Sequence, residues 1–367
     1  MSVSVVYSEA LTCLGHGQVL YERLIAGESG LNRASEVFKD LPEPVLAGWV
    51  GAINNISENE RVPQIFDEAF HKIVPDIVLE ADLIVGGSSL GDLYGRDSGN
   101  PHAALTKAIV RHWPKTPPPV ILASSACSSG TDAIIVATQA INSGMADIVA
   151  VFGFDSLESG KLIQHIALGT QSTDRARPFD IGRNGTSFAE ACGVMLLASD
   201  EGLIKLKSPR LGSIVGFGMT SDSYDIAAPY PDGTFAANAI KIATRGIDLS
   251  HLGYINAHGS GTLLNDQAEA NAFSLAFGKY AKYATIGGTK GALGHSLGAT
   301  GVIETIVTLK ALNNGIYPPT SGLLQPDPKI DVPILQCAQK RSSKHRYGLS
   351  TTLGFGGVNS AILIEAL

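Results

Sequence analysis

One plan occurs twice in this chain of 367 residues, and it limits the folds open to it more than any other feature. A strand runs into a turn of small residues and then into a buried helix rich in alanine and glycine, first over residues 124–142 and again over 289–313. The match is one of pattern rather than of residue identity, and it points to an internal duplication. The rest of the chain alternates in the same way. Apolar strands are expected at 83–85, 120–124, 148–152, 194–198, 254–257, 285–287 and 361–365. Helical patterns are expected at 17–26, 63–80, 103–112, 130–142, 265–277 and 298–313. Such alternation is the signature of an α/β protein. The expected organisation is two similar halves, residues 1–200 and 201–367, with no low-complexity segment between them. Pro117-Pro118-Pro119 and Pro318-Pro319 mark exposed turns rather than linkers.

Composition removes several function classes. Net charge is −7 and the isoelectric point about 5.7, whereas a nucleic-acid binder needs a basic surface for the phosphate backbone. The four cysteines, Cys13, Cys127, Cys192 and Cys337, are scattered without a CxxC pair, so neither a zinc site nor a disulfide framework is readable. That usage fits a reducing compartment. No apolar run approaches the roughly 20 residues of a membrane span, and the N-terminus lacks a basic region followed by a long apolar one. The expected location is the cytoplasm.

Four segments carry chemistry. Cys127 sits in Ala123-Ser124-Ser125-Ala126-Cys127-Ser128-Ser129-Gly130-Thr131, on a tight strand-to-helix turn. A thiol near a helix N-terminus is expected to favour thiolate, the attacking form; from this segment alone, an inert packed cysteine fits equally well. His258 follows an apolar strand in Ile255-Asn256-Ala257-His258-Gly259-Ser260-Gly261-Thr262, where Ser260 and Thr262 add hydroxyls. A lone histidine after a strand is more often core; the glycines and hydroxyls favour a site. Lys290 and His295 share the glycine-rich loop from Gly287 to Gly301. Its order is not that of a phosphate-binding loop. Phe355 lies between glycines in Leu353-Gly354-Phe355-Gly356-Gly357-Val358-Asn359, a tight turn with one bulky apolar side chain.

Taken together, SACSSG, NAHGxGT, KxxxGH and GFGGxN stand in the order of one family. The chain resembles a β-ketoacyl-acyl carrier protein synthase of the elongating Cys-His-His type, with a thiolase fold, over essentially its whole length. Arg177-Pro178-Phe179-Asp180, Arg183, Gly185 and Glu190 extend the likeness through the middle. The resemblance implies a layered α-β-α-β-α arrangement of two βαβ halves. It implies a decarboxylative Claisen condensation in fatty-acid, polyketide or aryl polyene synthesis. Cys127 would carry the acyl group as a thioester, and the N–H groups of Cys127 and Phe355 would form the oxyanion hole. His258 and His295 would polarise the malonyl thioester. Lys290 would keep its charge near His295 and help fix that histidine's protonation, with a carboxylate such as Glu269 or Glu190 alongside. Ser260 and Thr262 would hold the pantetheine arm, and Phe355 would gate the acyl pocket. No metal or organic cofactor is implied beyond the phosphopantetheine carried by the acyl carrier protein partner, and the assembly implied is a homodimer or a heterodimer with a related ketosynthase subunit.

There are departures from the family pattern. Ser260 stands for threonine, Leu263 for proline, Leu353 for phenylalanine and Val358 for threonine, and Glu190-Ala191-Cys192-Gly193 lacks a glycine seen in the family. They bear on acyl specificity rather than on the reaction. The rival reading is a chain-length-factor-like partner subunit with little activity of its own; such subunits typically lack the cysteine that is present here. A thiolase acting on coenzyme A disagrees with the two-histidine set.

Overall fold

The computed structural model describes residues 2–38, 41–42, 44–50, 61–89, 101–114, 116–283 and 285–367. Among these, the strands of three or more residues are β1 (Val3–Thr12), β2 (Leu83–Gly87), β3 (Val120–Ala123), β4 (Ile148–Asp155), β5 (Ala191–Ala198), β6 (Gly212–Ser221), β7 (Leu252–Asn256), β8 (Thr285–Gly287), β9 (Tyr347–Gly354) and β10 (Val358–Ala366). They pair in the order β3-β2-β4-β5-β1-β6-β10-β9-β7-β8. Replacing each of β1–β5 by its counterpart in β6–β10 reproduces the same neighbours. The strand directions repeat as well. β2 is parallel to β3 and β4, as β7 is to β8 and β9; the remaining contacts, including β1 with β6 at the join, are antiparallel.

The helices include α1 (Gly17–Ile25), α2 (Arg61–Ile73), α3 (Pro101–Val110), α4 (Ser129–Asn142), α5 (Ser159–Ala167), α6 (Asp200–Leu206), α7 (Thr234–Ala243), α8 (Leu263–Phe277), α9 (Lys290–Leu293) and α10 (Thr300–Asn314). Side-chain alternation along the strands separates the layers. Val149, Val151, Met195 and Leu197 pack with Ile134 of α4 and with Val302 and Ile306 of α10. Ile148, Ala150, Val194 and Leu196, on the opposite face, pack with Phe66 of α2 and Ile109 of α3. In the second half, Ile255, Leu349 and Leu363 face α7 and α8. Five layers result, helix–sheet–helix–sheet–helix, with α4 and α10 in the middle. A middle helix has no solvent face, which explains why every residue from Thr300 to Leu309 is buried. Each buried Val, Leu or Ile there contributes roughly 1.5–3 kcal/mol.

The two middle helices meet where their N-termini cross. A Cβ on Gly301 would lie 2.0 Å from Thr131 Oγ1 and 2.4 Å from Thr131 N, and one on Gly130 would lie 2.7 Å from the Gly298 carbonyl oxygen. Glycine is required at this crossing, and the crossing places the turns that precede both helices side by side.

Several sequence expectations need correction. The pattern over 63–80 is a helix only as far as Ile73; Pro75 interrupts it, and Asp76–Glu80 is a separate 3₁₀ turn. Strands β1, β6 and β9 were not expected, nor were α5, α6 and α7. No helix among the described residues is long and apolar enough to cross a membrane.

Candidate active site

Cys127 occupies a 3₁₀ turn, Ala126–Ser128, between β3 and α4. Ala126 holds φ at 53°, a left-handed backbone that alanine adopts only under constraint. The constraint is visible. Ser129 Oγ accepts from Ser125 N–H (2.9 Å) and donates to the Ala126 carbonyl (2.6 Å), while the Ser125 hydroxyl donates to Asp132. The turn points Sγ into a cavity of about 340 Å³ that is also lined by His258, His295, Ser260, Thr262 and Phe355. All four motifs therefore meet at one place.

The resting thiol differs from the sequence expectation. Burial pushes Cys127 up to about 11, against the opposing pull of the Phe355 N–H and the Lys290 charge. Desolvation outweighs those two pulls and favours the resting thiol over the thiolate.

His295 Nε2 lies 3.1 Å from Cys127 Sγ, and the rings of His258 and His295 are 5.2 Å apart at 84°. The Leu297 N–H donates to His295 Nδ1 at 3.2 Å, and Thr300 Oγ1 lies 2.9 Å from the same atom. A backbone N–H can only donate, so Nδ1 accepts and the neutral ring carries its proton on Nε2, aimed at the reacting centre. Burial, reinforced by Lys290, holds both histidines well below the usual imidazole range. Each is a neutral N–H donor and not an imidazolium.

Lys290 opens α9 beneath His258 and does not line the cavity. Its ammonium donates to the His258 carbonyl and to Glu304 Oε1 of α10 at 2.6 Å. Glu304 is thus the carboxylate partner of Lys290, in the place expected for Glu269 or Glu190. Glu269 of α8 instead braces the histidine loop. Its Oε1 accepts from His258 N–H (2.7 Å) and the Thr351 hydroxyl (2.8 Å), and its Oε2 accepts from Gly259 N–H (2.8 Å). Glu190 lies outside the cavity, paired with buried Arg61 (Nε to Oε2, 2.7 Å) and accepting from the Val50 and Leu157 amides. Ser260 and Thr262 hydroxyls are 3.0 Å apart on the cavity wall, where Thr262 leads into α8.

Of the departures, Leu263 is exposed at the cavity mouth and Leu353 is buried in its wall. Sequence reasoning missed Glu304, which reads as one more residue of a buried helix, and His165, in a helix that was not expected. His165 lines the cavity and stacks on Phe188 at 3.9 Å. Asp155 was also missed: it pairs with Lys161 at 2.6 Å and accepts from Gly298 N–H at 2.9 Å, fixing the turn that follows His295.

Comparison with known proteins places this architecture. Residues 103–202 match the beta-ketoacyl synthase N-terminal domain and residues 211–323 match its C-terminal domain. The chain is 35% identical over 274 residues to 3-oxoacyl-acyl-carrier-protein synthase 2 of Mycobacterium leprae, covering 71% of this chain and 64% of that protein. It is 31% identical over 284 residues to nodulation protein E of Rhizobium meliloti, covering 77% of this chain and 70% of that protein. A ketosynthase in complex with its chain length factor from Xenorhabdus doucetiae superimposes with a TM-score of 0.80 at 24% identity, over 100% of this chain and 98% of that one. A beta-ketoacyl synthase from Burkholderia phymatum does so with a TM-score of 0.83 at 23% identity, over 100% and 99%. With two domain models matched in order and a relative above 30% identity along most of its own length, the chain belongs to the β-ketoacyl synthase family.

Proposed function

We propose that this protein condenses an acyl group with malonyl-acyl carrier protein, giving 3-ketoacyl-acyl carrier protein and CO2. The observation that carries this reading is the convergence of Cys127, His258, His295 and Phe355 on one cavity, with Nε2 of His295 3.1 Å from Sγ. In the first half-reaction Cys127 Sγ attacks the thioester carbonyl of an acyl chain on the carrier's phosphopantetheine. The C–S bond to pantetheine breaks, and the proton leaving Cys127 goes to the departing sulfur. In the second, the malonyl C–CO2 bond breaks and its electron pair forms an enolate. The N–H groups of His258 and His295 stabilise that charge as it develops. The enolate carbon attacks the acyl-Cys127 carbonyl, whose oxyanion is held by the N–H groups of Cys127 and Phe355. Collapse expels the Cys127 sulfur as thiolate, which takes up a proton from solvent, the one proton the overall reaction consumes.

Neutral histidines suit this role, because a donor N–H is needed and no proton must be removed from carbon. Burial and the Lys290 charge keep the histidines neutral, Glu304 seats Lys290, and Ser260 and Thr262 hydrogen-bond the pantetheine arm. Phe355 gates the acyl cavity. The partners are an acyl carrier protein and a second subunit, the same chain or a related one, and the location is cytoplasmic. The chemistry uses no bound cofactor other than the partner's phosphopantetheine.

Cys127→Gln tests the assignment. Condensation should vanish while malonyl-carrier decarboxylation persists, because the histidines perform that half. Full condensation by Cys127→Gln would show that the nucleophile is another residue.

A further inference from the structure

Resting on the condensing-enzyme reading above, we propose that Asp155 is a positioning residue. It holds the backbone turn that keeps the imidazole proton of His295 on Nε2. The turn is Leu297–Ala299, a 3₁₀ segment between His295 and α10. Leu297 holds φ at 47°, in the left-handed region that a bulky side chain adopts only when its surroundings impose it. The peptide groups on either side of Leu297 define that conformation, and a hydrogen bond fixes each. The Leu297 N–H donates to His295 Nδ1 at 3.2 Å, and the Gly298 N–H donates to Asp155 Oδ2 at 2.9 Å.

Asp155 ends β4, is buried and does not line the cavity, so it can act only through its neighbours. The same Oδ2 accepts from the Ser89 N–H at 2.8 Å, and Oδ1 pairs with Lys161 of α5 at 2.6 Å. The two N–H groups converge because the backbones touch here: a Cβ on Gly298 would lie 2.3 Å from the Ser89 nitrogen. A carboxylate oxygen takes both at once, in charge-assisted bonds stronger than those to a neutral acceptor.

Thr300 does not decide the tautomer. Its hydroxyl, 2.9 Å from His295 Nδ1, can donate to a bare Nδ1 or accept from a protonated one. The Leu297 N–H can only donate, so the proton's position depends on the orientation of that peptide. Without the Asp155 acceptor the Gly298 N–H is stranded, and Leu297 relaxes toward the negative φ it prefers. Its N–H then leaves Nδ1, and nothing confines the ring proton to Nε2. A ring protonated on Nδ1 turns a lone pair toward the reacting centre and cannot donate to the malonyl enolate. Acylation survives, because the attack of Cys127 on the thioester does not use that proton.

Two double variants isolate the acceptor, and Lys161→Met accompanies each so that no ammonium is buried opposite an uncharged side chain. Asp155→Asn keeps an oxygen for both N–H groups, whereas Asp155→Leu keeps the bulk and removes the oxygen. Ring ¹⁵N NMR reads the tautomer, with His295 assigned by the signals lost in His295→Gln. The wild type and the asparagine variant should show the Nε2–H ring. The leucine variant should show an Nδ1–H population, with kcat for malonyl-carrier decarboxylation lowered roughly 10- to 100-fold, less than the 10²–10³ of complete donor loss. KM and the rate of Cys127 acylation, followed by intact mass, should stay near the wild-type values. Asp155→Ala with Lys161→Met carries the same expectation should the leucine variant not fold. An Nε2–H ring in the variants that lack the oxygen, or equal loss of decarboxylation with asparagine and with leucine, would overturn the role of Asp155. Absence of both decarboxylation and acylation in the wild type would overturn the condensing-enzyme reading, whereas the NMR comparison would still decide what Asp155 does to the ring.

Discussion

Replacing Glu269 by glutamine changes one atom of a buried side chain and separates the two half-reactions. In the wild type the carboxylate accepts from three donors: His258 N–H, Gly259 N–H and the Thr351 hydroxyl. Glutamine keeps one oxygen. Retaining it at the Oε1 position preserves two of these bonds and turns the amide NH2 toward the Gly259 N–H, donor against donor. The loss of one hydrogen bond to a charged acceptor is worth about 1.5–3 kcal/mol, concentrated in the loop that seats His258. Displacing one oxyanion donor entirely costs about 10²–10³-fold in rate, so a partial displacement should lower malonyl decarboxylation roughly 10- to 100-fold.

Global stability should move differently. Burial raises Glu269 from its ordinary 4.5 to about 7. A carboxyl raised on folding contributes stability that is fully present below about pH 4.5 and is lost as pH rises through about 7. The ionised form therefore carries a burial cost of about 3 kcal/mol above that pH, which glutamine does not carry. The difference in unfolding free energy should shift in favour of Glu269→Gln between pH 5 and 8, while its decarboxylation stays low. The assays are CO2 release from malonyl-carrier protein, intact-mass acylation of Cys127, and urea unfolding at both pH values. Equal loss of acylation and decarboxylation, or an unchanged decarboxylation rate, would refute the bracing role.

Three further outcomes follow from the same geometry. Alkylation of resting Cys127 by iodoacetamide should be slow at pH 7 and still rising at pH 10, because burial pushes the thiol up to about 11; a plateau below pH 8 would contradict this. Gly301→Ala forces a methyl group onto Thr131 at the crossing of the middle helices. It should cost about 1–3 kcal/mol, seen as a Tm lowered by roughly 2–10 °C in a thermal melt. Lys290→Met strands the Glu304 carboxylate and should destabilise by about 3–5 kcal/mol in urea unfolding. Lys290→Met combined with Glu304→Leu should recover most of that stability and none of the condensing activity.

What was legible in the sequence was local. Cys127, His258 and Phe355 each lie in a glycine- or serine-rich turn just after a strand, and Lys290 and His295 stand at the two ends of a short helix in a glycine-rich segment, where the backbone pattern alone announces an unusual conformation. The repeated strand–turn–helix units likewise foreshadowed the repeated strand order. What stayed hidden depends on tertiary contacts. Glu304 is separated from Lys290 by three turns of helix and loop and resembles any polar residue in a helix, yet burial beside an ammonium makes it the partner. His165 sits in a helix with no motif, and its ring acquires meaning only against Phe188. The thiolate expectation failed for a related reason: a helix N-terminus is visible in sequence, whereas the desolvation that opposes it is not.

The proposed reaction requires a thioester on Cys127. Purified protein mixed with acyl-carrier protein should gain the mass of one acyl group, mapped by peptide digestion to Cys127 and discharged as 3-ketoacyl-carrier protein when malonyl-carrier protein is added. An unmodified Cys127, with or without a related ketosynthase subunit present, would contradict the proposed reaction and leave the non-catalytic partner subunit as the better reading.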